Sequence, residues 1–229
     1  FLFRGIDESV NSAYGDSLDN ESRFDGEIRG MSPSTRRILA SVEYDALRLR
    51  RRANYEALHA ALAPHNALAT EIAYTAGLRA HELLTLQPRS ERTPDPRPAL
   101  PTKFEGREDG SRYVVTGKGG LIREVQLPSH LAARLEAQRL ATPRPVTDRH
   151  VYYQQHYAIG GGQPWSMAVS RAAKAALGWS TGAHGLRHAY AQERVTELQT
   201  LEHSQKVANE TVSQELGHFR PEITTTYLR

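Results

Sequence analysis

The sequence has no cysteine. Disulfides, thiol nucleophiles and cysteine-ligated zinc are therefore excluded. It has no apolar run long enough to cross a bilayer. It also has no charged-then-apolar N-terminal signal, so a cytoplasmic location is expected. Lysine is scarce: four of the 29 basic residues, at 103, 118, 174 and 206, the rest being arginine. Each lysine is thus a candidate for a role that arginine cannot fill. Arginine stays protonated, whereas lysine can release a proton when its pKa is depressed. At 229 residues the chain is long enough to bury a core without metals or disulfides.

The net charge of +3 is unevenly spread. Residues 1–30 carry seven acids against three arginines, so the remainder carries the positive excess. Basic density peaks in "RRILASVEYDALRLRRR" (36–52). Counterion release makes such a surface a route to nucleic-acid affinity. Arg48, Arg50, Arg51 and Arg52 are the candidate DNA contacts. A solvated helix face is the competing reading.

Residues 1–33 have little periodicity and read as an irregular arm. The spacing predicts a helix over 32–62, broken at Pro64. Another is predicted over 65–86, interrupted at Gly77, with a second short helix carrying Glu82 and Leu83. Five prolines between 88 and 101 mark a loop. The period then switches from helical to alternating. "SRYVVTGKGGLIREVQLP" (111–128) predicts a β-hairpin with Lys118 at its tip. Helix is predicted over 129–140, capped by Ser129, then loop over 141–164. Helices are expected over 166–178, ended by Gly178, and over 184–201, 207–217 and 221–228. The expected fold class is α+β, mostly helical, with a small antiparallel sheet.

Several residues could carry chemistry. His184 and His188 share one helix face at i, i+4 spacing. A zinc protease would need glutamate after the first histidine, and Gly185 stands there. "GKGG" is not a nucleotide P-loop, since a strand comes after it. Arg79 could pair with Glu82 three residues on, though surface pairs at that spacing are common and weak.

Taken in order, Gly-Leu-Arg-x-x-Glu-Leu, a Gly-Lys-Gly hairpin, His-x-Leu-Arg-His, Leu-Gly-His and a tyrosine nine residues further on make a specific pattern. It resembles the tyrosine recombinases, or phage-integrase family, over about residues 64–229. The resemblance implies the catalytic-domain fold of that family, DNA strand cleavage and religation without ATP, and neither metal nor other cofactor. Tyr227 matches the nucleophile that forms a covalent 3′-phosphotyrosine. Arg79 and Arg187 match the arginines that hold the scissile phosphate in two-pronged forks. His184 matches the general-base candidate, and His218 the residue that hydrogen-bonds the phosphate. Lys118 matches the general acid for the departing 5′ oxygen, from a hairpin that closes over the minor groove. Glu82 matches the acid supporting the first arginine, and His188 a buried supporting histidine.

The resemblance implies double-stranded DNA as partner, a homo-tetramer on two duplexes, and accessory DNA-bending proteins. Residues 63–229 are expected to be the catalytic domain. Residues 1–62 are expected to be an N-terminal arm and helix, either a remnant or a reduced form of a core-binding domain. The 31 residues from Arg187 to His218 predict a long helix pair. Two rival readings remain: a type IB topoisomerase-like or telomere-resolving enzyme, and a catalytically idle DNA-binding regulator of the same fold.

Overall fold

The computed structural model describes residues 43–219. The arm, the first part of the helix expected from residue 32, and the expected helix over 221–228 with Tyr227 lie outside the described residues. The chain divides into two units between Leu47 and Arg48. Among the described residues, every candidate site residue lies in the second unit, which starts at Arg48.

Helix α1 (Tyr44–Ala60) carries Arg48, Arg50, Arg51 and Arg52, all exposed. Helix α2 (Pro64–Ala76) begins with Pro64 in its first turn, where the missing N–H would have had no intrahelical partner. Its buried face is Leu68, Ala69, Ile72, Ala73 and Ala76. Gly77 ends it in the left-handed region, φ 61°. The chain then makes one 3₁₀ turn, Glu82–Leu84.

The three-stranded antiparallel sheet has the order β1 (Gln87–Pro88), β2 (Ser111–Thr116), β3 (Ile122–Leu127). The predicted hairpin is present, with Ser111 opposite Leu127 and Thr116 opposite Ile122. Its turn puts Gly119 and Gly120 at φ 79° and 84°, a conformation open to glycine at no steric cost. Lys118 is exposed at the tip.

Helix α3 (Ser129–Glu136) is shorter than predicted. Its N-cap is Pro128, and the Ser129 hydroxyl donates instead to the Asp109 carbonyl. The expected loop over 141–164 is mostly a second antiparallel hairpin, β4 (Arg139–Asp148) and β5 (Val151–Tyr157). Pro143 and Pro145 disguised β4. A two-stranded sheet leaves each strand a free edge, where proline costs no ladder hydrogen bond.

Helix α4 (Gly162–Leu177) starts four residues earlier than predicted and ends at Gly178, φ 81°. The helix pair expected between Arg187 and His218 is α5 (His184–Thr200) and α6 (Gln205–Glu215). Ser204 caps α6 by accepting from the Val207 N–H. The result is a mostly helical α+β fold with small antiparallel sheets.

The main core packs Leu68, Ile72, Leu83, Val115, Val125, Leu127, Leu131 and Trp165. A smaller core joins α5 to α6 through Tyr190, Val195, Leu198, Val212 and Leu216. The end of α2, the inner face of β3 and the end of α6 meet where these two cores adjoin. A Cβ on Gly77 would lie 2.7 Å from both Leu216 and Tyr190 side chains.

Candidate active site

Glu82 is the hub. Its side chain is fully buried at the start of the 3₁₀ turn. It reaches back to accept the Arg79 backbone N–H at 2.7 Å and the Arg79 guanidinium at 3.0 Å. Arg123 donates to it from β3, through Nη2 at 2.8 Å and Nε at 3.3 Å. Arg187 Nη1 lies 3.9 Å away. Burial alone would raise the Glu82 pKa. The Arg123, Arg187 and Arg79 charges outweigh it and hold the carboxyl at about 2.

Arg187 sits one turn into α5 and is completely buried. It donates to the Gly77 carbonyl at the end of α2 and to the Leu216 carbonyl just beyond α6. It therefore ties together the two chain ends that carry Arg79 and His218.

His218 reaches the site because Gly217, at φ 74°, turns the chain sharply out of α6, and the His218 N–H bonds back to the Ser213 carbonyl. Its Nε2 lies 3.0 Å from Arg79 Nη2 and 3.1 Å from Arg187 Nη2. Burial, then the Arg187 and Arg79 charges, push its pKa down to about 3. Near neutral pH the imidazole is uncharged and Nε2 accepts from both guanidiniums.

His184 opens α5 and is exposed. Its ring stands edge-on to His188, centroids 5.4 Å apart. Partial loss of hydration, then the Arg187 charge, lower its pKa to about 4. His188 is half-buried rather than buried as expected, because it lies on the rim beside His184. Among the described residues no group of three ligands could hold a metal ion.

The hairpin enters at its root. A Cβ on Gly117 would lie 3.4 Å from Glu82 Oε1, so the backbone beside Lys118 abuts the hub. Of the candidate DNA contacts, Arg52 pairs with Glu56 at 3.1 Å on the exposed face of α1. Arg79, Glu82, Arg187 and His218 are thus brought together, His184 and His188 flank them on α5, and Lys118 stands at the hairpin tip.

Sequence reasoning missed Arg123. It shares the inner face of β3 with Val125 and Leu127, and that phase was the available signal: a charge where alternation demands an apolar side chain. It also missed Arg194 and Glu215. Arg194 lies on the buried stripe of α5 with Tyr190, Ala191 and Leu198. Glu215 accepts from Arg194 at 3.1 Å, the Tyr190 hydroxyl at 2.7 Å and the Phe104 N–H at 2.9 Å. This second buried cluster anchors the end of α6 and so the base from which His218 projects.

Three guanidiniums around one carboxylate leave a net positive site. Arg79, with 23% of its side chain exposed, opens it to solvent. One Nη2 from each of Arg79 and Arg187 points at the same place, and such charged donors suit a phosphodiester oxygen.

No family model matches the chain, and no curated protein does. Among solved structures it is similar to the XerH site-specific recombinase bound to difH substrate in a pre-cleavage complex. Identity is 18%, with 76% of this chain and 48% of that one covered, and the TM-score is 0.46. The post-cleavage complex of XerH with a palindromic difH substrate gives 16% identity, 76% and 47% coverage, and 0.46. The Tn1549 transposon integrase in complex with transposon right-end DNA gives 13%, 72% and 54%, and 0.44. The chain therefore spans about half the length of these proteins, which are a site-specific recombinase and a transposon integrase.

Proposed function

We propose that this protein is a site-specific DNA recombinase or integrase that cleaves and rejoins duplex DNA through a covalent 3′-phosphotyrosine. The observation that carries the reading is the convergence of Arg79 and Arg187 on one imidazole nitrogen of His218, at 3.0 and 3.1 Å. One Nη2 from each guanidinium already shares one acceptor there. A phosphodiester oxygen can take that place and receive both.

The chemistry is set by charge. In-line attack by the Tyr227 oxygen on phosphorus places extra negative charge on the equatorial oxygens. Fixed guanidiniums stabilise that charge more in the transition state than in the ground state. The P–O5′ bond breaks as the new P–O bond to tyrosine forms, and Lys118 supplies the proton that the 5′ oxygen needs. The tyrosine proton goes to His184, which is neutral near pH 7 and so able to accept it. The incoming phosphate charge raises the basicity of both histidines. Bond energy is kept in the phosphotyrosine, so religation needs no ATP.

End-labelled duplexes from the DNA flanking the gene, nicked so that cleavage cannot reverse, provide the test. Denaturation in SDS is expected to reveal a shifted covalent adduct. Tyr227→Phe is expected to lose the adduct and keep the mobility shift on native gels. An adduct that persists in that variant refutes the assignment.

A further inference from the structure

Arg123 takes no part in the cleavage steps, yet it is woven through the site. It is 4% exposed, on the inner face of β3. Its Nε and Nη2 grip both oxygens of Glu82 at 3.3 and 2.8 Å. Its Nη1 donates to the Glu215 carbonyl, the last of α6, at 2.6 Å. Its Cδ fills the space beside Gly217, where a Cβ would approach it to 2.6 Å. One side chain thus touches the carboxylate that orients Arg79 and the turn that presents His218.

Charge explains why a guanidinium is needed there. Arg79, Arg123 and Arg187 surround a single carboxylate. Arg123 faces Glu82 from inside the protein, while Arg79 faces it from the solvent side. If Arg123 absorbs the Glu82 charge, Arg79 and Arg187 both keep theirs for an anion. If Arg123 were neutral, Glu82 would draw on those two, and the net charge presented to the anion would be halved.

We infer that Arg123 is a positioning residue for phosphate capture: it neutralises Glu82 from beneath, leaving the full charge of Arg79 and Arg187 directed at the bound phosphate. The inference rests on the reading of this site as a phosphodiester site. Arg123 never touches the phosphate and acts through Glu82.

A double-mutant cycle separates this role from a merely structural one. The probe is inorganic phosphate, titrated into the full chain and monitored by the NMR signal of the His218 ring. Arg123→Gln is expected to weaken phosphate binding on the order of tenfold, the scale of one unit charge at an effective dielectric near 20. Glu82→Gln added to it removes the charge that Arg123 offsets. The double variant is therefore expected to recover most of the lost affinity. A structural role predicts the reverse: the double variant binds more weakly than Arg123→Gln, and that result overturns the inference. So does a wild-type chain whose His218 signal ignores phosphate.

Should Arg123→Gln not fold, Arg123→Lys carries the test, since it keeps the charge and loses the fork. Phosphate affinity close to wild type supports the inference, and a tenfold loss overturns it. Adduct formation is scored separately. A wild type that binds phosphate with the expected pattern but gives no Tyr227-dependent adduct sinks the recombinase reading and leaves the role of Arg123 intact.

Discussion

Glu82→Gln keeps the shape of the hub and removes its charge. The structure sets the size of the effect. The Glu82 carboxyl is fully buried, with Arg123 at 2.8 Å, Arg79 at 3.0 Å and Arg187 at 3.9 Å. Burial works against the charged form and the three guanidiniums overcome it, so the pKa falls from 4.5 to about 2. At 1.36 kcal/mol per unit, that difference corresponds to about 3 kcal/mol of stability at pH 7. Loss of one partner from a buried ion pair falls in the same range, about 3–5 kcal/mol. For a domain of this size, about 3 kcal/mol lowers the melting temperature by roughly 6–12 °C. Linkage gives the sign with pH. A group whose folded pKa is depressed stabilises above its unfolded value, and that stability fades as pH falls toward the folded value. Urea unfolding of wild type and Glu82→Gln is therefore expected to differ by a constant amount above about pH 5. The gap is expected to narrow between pH 4.5 and 2. A gap below ~1 kcal/mol at pH 7, or one that does not narrow in acid, refutes the hub assignment.

Gly77→Ala is expected to cost about 2 kcal/mol or more in urea unfolding. It forces a left-handed non-glycine residue and brings a Cβ to 2.7 Å from Tyr190 and Leu216; a loss under ~0.5 kcal/mol would mean that junction yields freely. His184 and His218 are held below their ordinary pKa of 6.5, at about 4 and about 3, so the unfolded chain binds more protons below pH 6.5. Stability should accordingly be full above pH 6.5 and decline as pH drops toward 4. His218→Asn should flatten that decline, and an unchanged pH profile in the variant contradicts the depressed pKa. Lys118→Ala should slow cleavage of ordinary DNA by about 10²-fold or more, the scale of a lost general acid. The defect should be much smaller when the 5′ leaving group is a thiol, and equal slowing of both substrates rules out proton donation by Lys118.

Local chemistry was legible in the sequence wherever the chain answers to its own neighbours. The hairpin around Gly117-Lys118-Gly119-Gly120 arises from flanking alternation and a turn that needs positive φ. Gly77 and Gly178 end helices because a left-handed residue is needed there and glycine adopts it freely. Arg79 and Glu82 are three residues apart, so their pairing needs only one turn of chain. The β4–β5 hairpin was hidden because its prolines are tolerated only at a free sheet edge, and edge status belongs to the sheet. Arg123 and Arg194 broke the expected apolar phase, and the phase alone did not name Glu82 or Glu215 as partners. The Arg79–His218 contact spans 139 residues and the Arg187–His218 contact 31. No local periodicity encodes such a meeting. It was decided by how the ends of α2, β3 and α6 pack where the two cores adjoin. There burial leaves Glu82 and Arg187 no water to turn to, and guanidiniums and backbone carbonyls satisfy them instead.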